Sequence, residues 1–142
     1  MSLRSLAVRT TNFTVDQACV EIIAGARAIR VLQINYISFA ATVQQIGLGR
    51  PAAIGVTPTS PVTFLSLASG DSTSAAKAAL AWVTSPTAPA AFMKRANLPA
   101  TAATAFEWTF GDGGVLVPAG GSLVLWNIAI SVASDVSILV ND

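Results

Sequence analysis

The chain has 142 residues, room for one domain, and is 53% hydrophobic but only 11% charged, against about 25% charged in an average soluble protein. Eight Lys and Arg against seven Asp and Glu leave a formal net charge of +1, so no field of one sign exists to gather nucleic acid, anionic lipid or an acidic substrate. Histidine is absent, which removes Ser-His-Asp and Cys-His nucleophiles and His-based metal sites, and with them most enzyme classes.

Short apolar segments punctuated by turn formers run the whole length, the pattern of an antiparallel sandwich or barrel. The segment Met1 to Arg9 has no apolar region of signal-peptide length, so synthesis in a cytoplasm is expected. No window of about 18 residues is continuously apolar, so no membrane partner is expected. Leu6 to Phe13 and Gln17 to Ala24 read as strands, the second closed by Ala24-Gly25-Ala26. In Arg27 to Phe39, Leu32, Ile34 and Tyr36 alternate with Gln33 and Asn35, as in a strand with one wet face. Ala41 to Leu48 follows as a hairpin partner and stops at Pro51, which has no N–H for a ladder.

Pro51 to Pro61 reads as an extended surface loop, and Pro61 to Leu67 resumes a strand. Ser72 to Ala81 has a cap-like start and high alanine content but is short and weakly amphipathic, so a loop or helical turn into a strand at Ala79 to Thr84 is expected. Ser85 to Ala103, with Pro86, Pro89 and Pro99, reads as a long loop around Phe92-Met93-Lys94-Arg95 with room for another helical turn. Phe106, Trp108 and Phe110 alternate with Glu107 and Thr109 before a tight turn at Gly111-Asp112-Gly113-Gly114. Val115 to Val117 leads through Pro118-Ala119-Gly120-Gly121 to Ser122–Ile128, apolar on both faces and therefore in need of two covers. Val136 to Val140 closes an expected all-β domain spanning residues 1–142, an antiparallel β-sandwich of about eight strands.

Motifs that carry chemistry elsewhere have plainer readings here. Gly47-x-Gly49-x-x-Ala52 has the letters of a dinucleotide fingerprint, but Pro51 and Pro58 leave no helix to receive a pyrophosphate, so it reads as a strand end. Ser74-x-x-Lys77 matches a penicillin-recognising motif without its partner motifs. Asp112 sits among turn glycines, and the other acids are too scattered for a calcium site. Asn12-Phe13-Thr14 is a glycosylation sequon without a secretory signal. Cys19 is the only cysteine, which excludes an internal disulfide, and its apolar neighbours mark it as core. Trp82, Trp108 and Trp126 would make a sugar-stacking platform if exposed, but strand tryptophans usually pack in cores or interfaces. No metal or cofactor is expected.

So apolar a chain with so few charges would expose large apolar patches as a monomer, and such patches mark association sites. The strand around Leu123, Leu125, Trp126 and Ile128 is the expected subunit interface, one face in the sandwich and the other against a neighbour. The succession Arg27-Ala28-Ile29-Arg30-Val31-Leu32-Gln33-Ile34, Gly47-Leu48-Gly49-Arg50-Pro51-Ala52, Thr84-Ser85-Pro86, Phe106-Glu107-Trp108 and Val117-Pro118-Ala119-Gly120-Gly121-Ser122-Leu123-Val124-Leu125-Trp126-Asn127 resembles small jelly-roll virion proteins of tailed bacteriophages. It is similar in particular to decoration, or cement, proteins, and the likeness covers most of the chain. The resemblance implies a jelly roll, a homotrimer, the phage major capsid protein as partner, and a place on the capsid surface; it carries over no catalytic residue. Capsid contacts are expected from Met1 to Arg9, Pro51 to Pro61 and Ser85 to Ala103, with Arg4, Arg50, Lys94 and Arg95 meeting an acidic partner surface. The alternative is a receptor- or glycan-binding domain of a tail fibre or spike, which requires an exposed aromatic cluster.

Overall fold

The computed structural model describes residues 2–111, 113–129 and 131–142. Among them the chain is all-β and without helix, in fourteen strands: β1 (Leu3–Arg9), β2 (Gln17–Ile23), β3 (Ile29–Ser38), β4 (Gln44–Gly49), β5 (Val56–Thr59), β6 (Val62–Thr63), β7 (Leu65–Ser66), β8 (Lys77–Ala79), β9 (Ala81–Thr84), β10 (Phe92–Leu98), β11 (Ala105–Thr109), β12 (Val115–Val117), β13 (Ser122–Asn127) and β14 (Ser134–Asn141). One six-stranded sheet has the order β11-β3-β14-β1-β7, with β12 also pairing β3. The second has the order β10-β4-β13-β2-β8-β6, and β5 with β9 makes a two-stranded third. Every pairing is antiparallel.

The inward residues follow the two-residue period of a strand. Leu6, Val8, Ile34, Tyr36, Val136 and Ile138 of the first sheet meet Val20, Ile22, Ile46, Leu48, Leu123 and Leu125 of the second in one buried cluster. The two sheets therefore close face to face as a sandwich, with each buried aliphatic side chain contributing about 1.5–3 kcal/mol. Two bulges adjust the phase. The β3–β14 register steps from Gln33↔Leu139 to Val31↔Val140, leaving Leu32 unpaired. Val31 and Ile34 then both reach the core while Leu32 is only half-buried, so the expected alternation of Leu32 with Ile34 and Tyr36 does not hold. On β2 the partners step from Val20 to Ala18, which places Cys19 in the bulge and in the core.

Several expectations are corrected. From β1 to β4 each successive strand changes sheet, so β3 and β4 form no hairpin: β3 pairs with β14 and β11, and β4 with β13 and β10. The stretch 85–103 is no helical turn or open loop; it contains the seven-residue β10, aligned by six backbone partners on β4. The stretch 51–61 contains β5, and 72–81 contains β8 with no helical turn, because β8 is paired with β2 and β6 and Ala76, Ala78 and Ala79 pack at 0% exposure. Pro61 to Leu67 is split between β6 and β7, which belong to different sheets. The count of fourteen exceeds about eight because short pieces of two to four residues edge or cover the main strands. The expected tight turn is present, the Gly114 N–H donating to the Gly111 carbonyl at 2.8 Å, but the strands on either side of it, β11 and β12, both pair with β3; Asp112 itself lies outside the described residues.

Candidate functional site

The strand proposed from sequence as a subunit interface is covered by its own chain. β13 lies in the second sheet with β2 and β4 on its two sides, and all six of its residues are buried. Leu123 and Leu125 face the main core. Val124 and Trp126 face outward, yet Trp126 is 3% exposed, because Trp82 and Phe92 close over them together with Ile128. The two covers that the sequence demanded are thus the sandwich and the chain's own β5–β9 flap.

That flap is fastened by Glu21, which is fully buried on the outer side of β2. Its Oε1 accepts from the Trp82 indole N–H at 2.9 Å, and its Oε2 accepts from the Gly55 backbone N–H at 3.1 Å and the Ser122 hydroxyl at 2.7 Å. A Cβ on Gly55 would overlap the Trp82 ring, so the close approach needs glycine there. Gly47 and Gly49 have the same kind of reason: a Cβ would lie 2.5 Å from the Phe92 ring at Gly47 and 2.8 Å from Pro89 at Gly49. The glycine pair that resembles a nucleotide motif is a bed for two side chains.

The four cations expected to meet a partner divide. Arg4 is no surface cation: it is 3% exposed, on the same side of β1 as Leu6 and Val8, with Nε donating to Asp142 Oδ1 at 3.0 Å. The terminal segment that carries it is tied into the first sheet between β14 and β7. Lys94 and Arg95 are exposed on the edge strand β10, paired with Leu48 and Gly47, and the exposed Arg50 follows Gly49 at the end of β4. Arg50 Nη2 donates to the Leu116 carbonyl at 2.8 Å, and the Arg95 guanidinium lies 6.0 Å from the Phe92 ring centre. Cations along an edge strand also discourage pairing with foreign strands.

The tryptophans do not assemble a platform: Trp108 is in the main core, and Trp126 lies beneath Trp82. Every acid among the described residues is hydrogen-bonded within the chain, including Asp16, Asp71, Glu107 and Asp135. No cluster of three metal-ligating side chains occurs among the described residues, nor is any helix there long and apolar enough to cross a membrane.

Sequence reasoning missed one end of the sandwich. Loops 10–16 and 39–43 meet there through 131–134: Thr10 N–H donates to Ser134 O at 2.9 Å, and Phe39 N–H to Ala133 O at 3.4 Å. Beneath them Gln44, fully buried, accepts from the Tyr36 hydroxyl at 3.1 Å and donates to Ser38 Oγ; burial pushes the Tyr36 hydroxyl well above its usual pKa. On this braced base Phe13, Val15, Phe39 and Val43 stand 41%, 45%, 45% and 59% exposed, with the Arg9 guanidinium 4.6 Å over the Phe39 ring. Phe13, Phe39 and Val43 fell on segments expected as strands, but β1 and β3 stop at Arg9 and Ser38 and β4 starts only at Gln44, which leaves them on loops. No family model, curated protein or solved structure matches the chain.

Proposed function

We propose that the chain is a structural protein of a bacteriophage virion, a decoration protein that sits on the outer capsid surface as a homotrimer and braces neighbouring major-capsid subunits. The observation that carries this reading is the apolar end of the sandwich, Phe13, Val15, Phe39 and Val43, held on loops braced by a buried polar network. Exposed apolar side chains on the loops of one end of the sandwich are a candidate for a surface that works when covered. The sandwich is compatible with the jelly roll that the resemblance implies, and the edge cations Arg50, Lys94 and Arg95 offer a second, polar contact. The mechanism is mass action: a protein that binds the assembled shell and not its free subunits adds its binding free energy to shell stability, and three linked copies multiply a modest contact.

The test starts from the mass of the purified protein by light scattering across a concentration series, followed by cosedimentation with phage heads. The expected result is a concentration-independent trimer that pellets with heads and raises their thermal resistance. Phe39→Ser with Val43→Ser is expected to abolish trimer formation or head binding while leaving the fold intact by circular dichroism. A monomer at all concentrations that ignores capsids would overturn the proposal.

A further inference from the structure

Arg4 breaks the alternation of β1. Arg4, Leu6 and Val8 are the strand's buried positions, so a guanidinium stands where an apolar side chain is expected. A buried cation is costly unless its donors are met, and here they are met in part. Nε is paired with Asp142 Oδ1, but Nη1 is sealed from solvent and has no hydrogen-bond partner. Asp142 in turn spends its other oxygen on Ser74, whose hydroxyl donates to Oδ2 at 2.7 Å. Sealed in this way, Nη1 cannot reach a ligand, whereas Nη2 is not sealed and makes no hydrogen bond among the described residues.

Arg4 lines a cleft of about 280 Å³ together with Ala24, Arg27, Ser72, Thr73 and Asp142. Its wall exists because Gly25, at φ +73°, lets the turn after β2 approach segment 72–76; a Cβ there would lie 2.5 Å from the Ala75 carbonyl oxygen. Arg27 is exposed and makes no ion pair or hydrogen bond among the described residues, and neither the Ser72 nor the Thr73 hydroxyl has a partner there. Two guanidinium groups face the Asp142 side-chain carboxylate, and Arg27 with the two hydroxyls leaves the cleft rich in free donors.

We infer that this cleft is a binding site for a small oxyanion, a phosphate or a carboxylate, held between Arg4 and Arg27 with help from the Ser72 and Thr73 hydroxyls. Guanidinium donors match both anions in geometry and charge. The site is independent of the capsid reading, because it is measured on the free protein.

Titration calorimetry of the purified chain with inorganic phosphate, and separately with acetate, at ionic strength matched by chloride, tests it. Saturable phosphate binding is expected, weakened roughly tenfold in Arg27→Gln, the scale of one charge-assisted hydrogen bond. Arg27 is exposed, so this variant is expected to stay folded, with a cooperative unfolding transition in chloride, and Thr73→Ala, which removes no charge, serves as a second variant with the same expected direction. Binding of phosphate alone assigns the site to phosphate; binding of acetate as well assigns it to carboxylates, including an acidic side chain of a partner. No saturable heat from either anion, as for a cleft that holds only water, overturns the inference. So does stabilisation by phosphate that never saturates and is equal in wild type and Arg27→Gln, the signature of solvent exclusion.

Discussion

Glu21→Gln changes one carboxylate oxygen to an amide nitrogen at constant volume and isolates what fastens the flap. Three donors converge on Glu21 from three elements: the Gly55 N–H, the Trp82 indole N–H and the Ser122 hydroxyl. An amide turned to serve Gly55 and Ser122 points its NH2 at the indole N–H, and turned the other way it opposes the Gly55 N–H. Either orientation loses one charge-assisted bond and leaves buried donors unmet, together about 2–4 kcal/mol. At about 4 °C per kcal/mol for a chain of this size, Tm falls by roughly 8–16 °C. Calorimetry measures the fall, and amide hydrogen exchange in β5 and β9 localises it. Glu21→Gln with Trp82→Phe removes the opposed indole N–H and is expected to lose less than the two single changes together. A loss below about 0.5 kcal/mol, the scale of an ordinary surface change, with β5 and β9 protected as in the wild type, would refute the role of Glu21 as the latch.

Three further outcomes follow from the packing. Gly47→Ala places a methyl 2.5 Å from the Phe92 ring and is expected to cost about 1–3 kcal/mol; adding Phe92→Ala should cost less in this background than alone, as read by thermal unfolding. At Asp142 burial by itself raises the carboxyl pKa, but the hydrogen bonds from Ser74 and Arg4 and the charges of Arg4 and Arg27 outweigh it and hold the group below its usual value. That lowered value contributes stability above the unfolded pKa of about 3.9 and loses it as pH falls through the folded value, so the urea midpoint should drop below about pH 4 in the wild type and less steeply in Asp142→Asn. Burial pushes the Cys19 thiol up to about 12, and only thiolate reacts; labelling by an aromatic disulfide reagent at neutral pH should therefore follow the urea unfolding curve, and rapid labelling without urea would contradict the core position.

How much was legible in the sequence differs by element. The cores of β2, β3, β11, β13 and β14 fall on segments expected as strands, since residues such as Ile34 and Tyr36 or Phe106 and Trp108 repeat at the period of a pleat. The demand for two covers on β13 was equally readable. β10 was not: Phe92-Met93-Lys94-Arg95 alternates poorly because it is an edge strand with a register shift between Phe92 and Lys94. The proline-rich stretch that hid β5 tolerates Pro58 because the small sheet has only two strands, and every strand in it is an edge.

The sequence alone determined the all-β class, the absence of histidine chemistry and the burial of Cys19, because side-chain period and residue inventory are local properties of the chain. Tertiary structure alone decided that Trp82 and Phe92 of the same chain cover Trp126, that Arg4 lies beneath the surface beside Asp142, and that Phe13 and Phe39 share one end. These are meetings of residues far apart in the chain, brought about by strands that switch sheets. No local pattern records which distant strand a given face will meet, because alternation sets only the direction in which a side chain points.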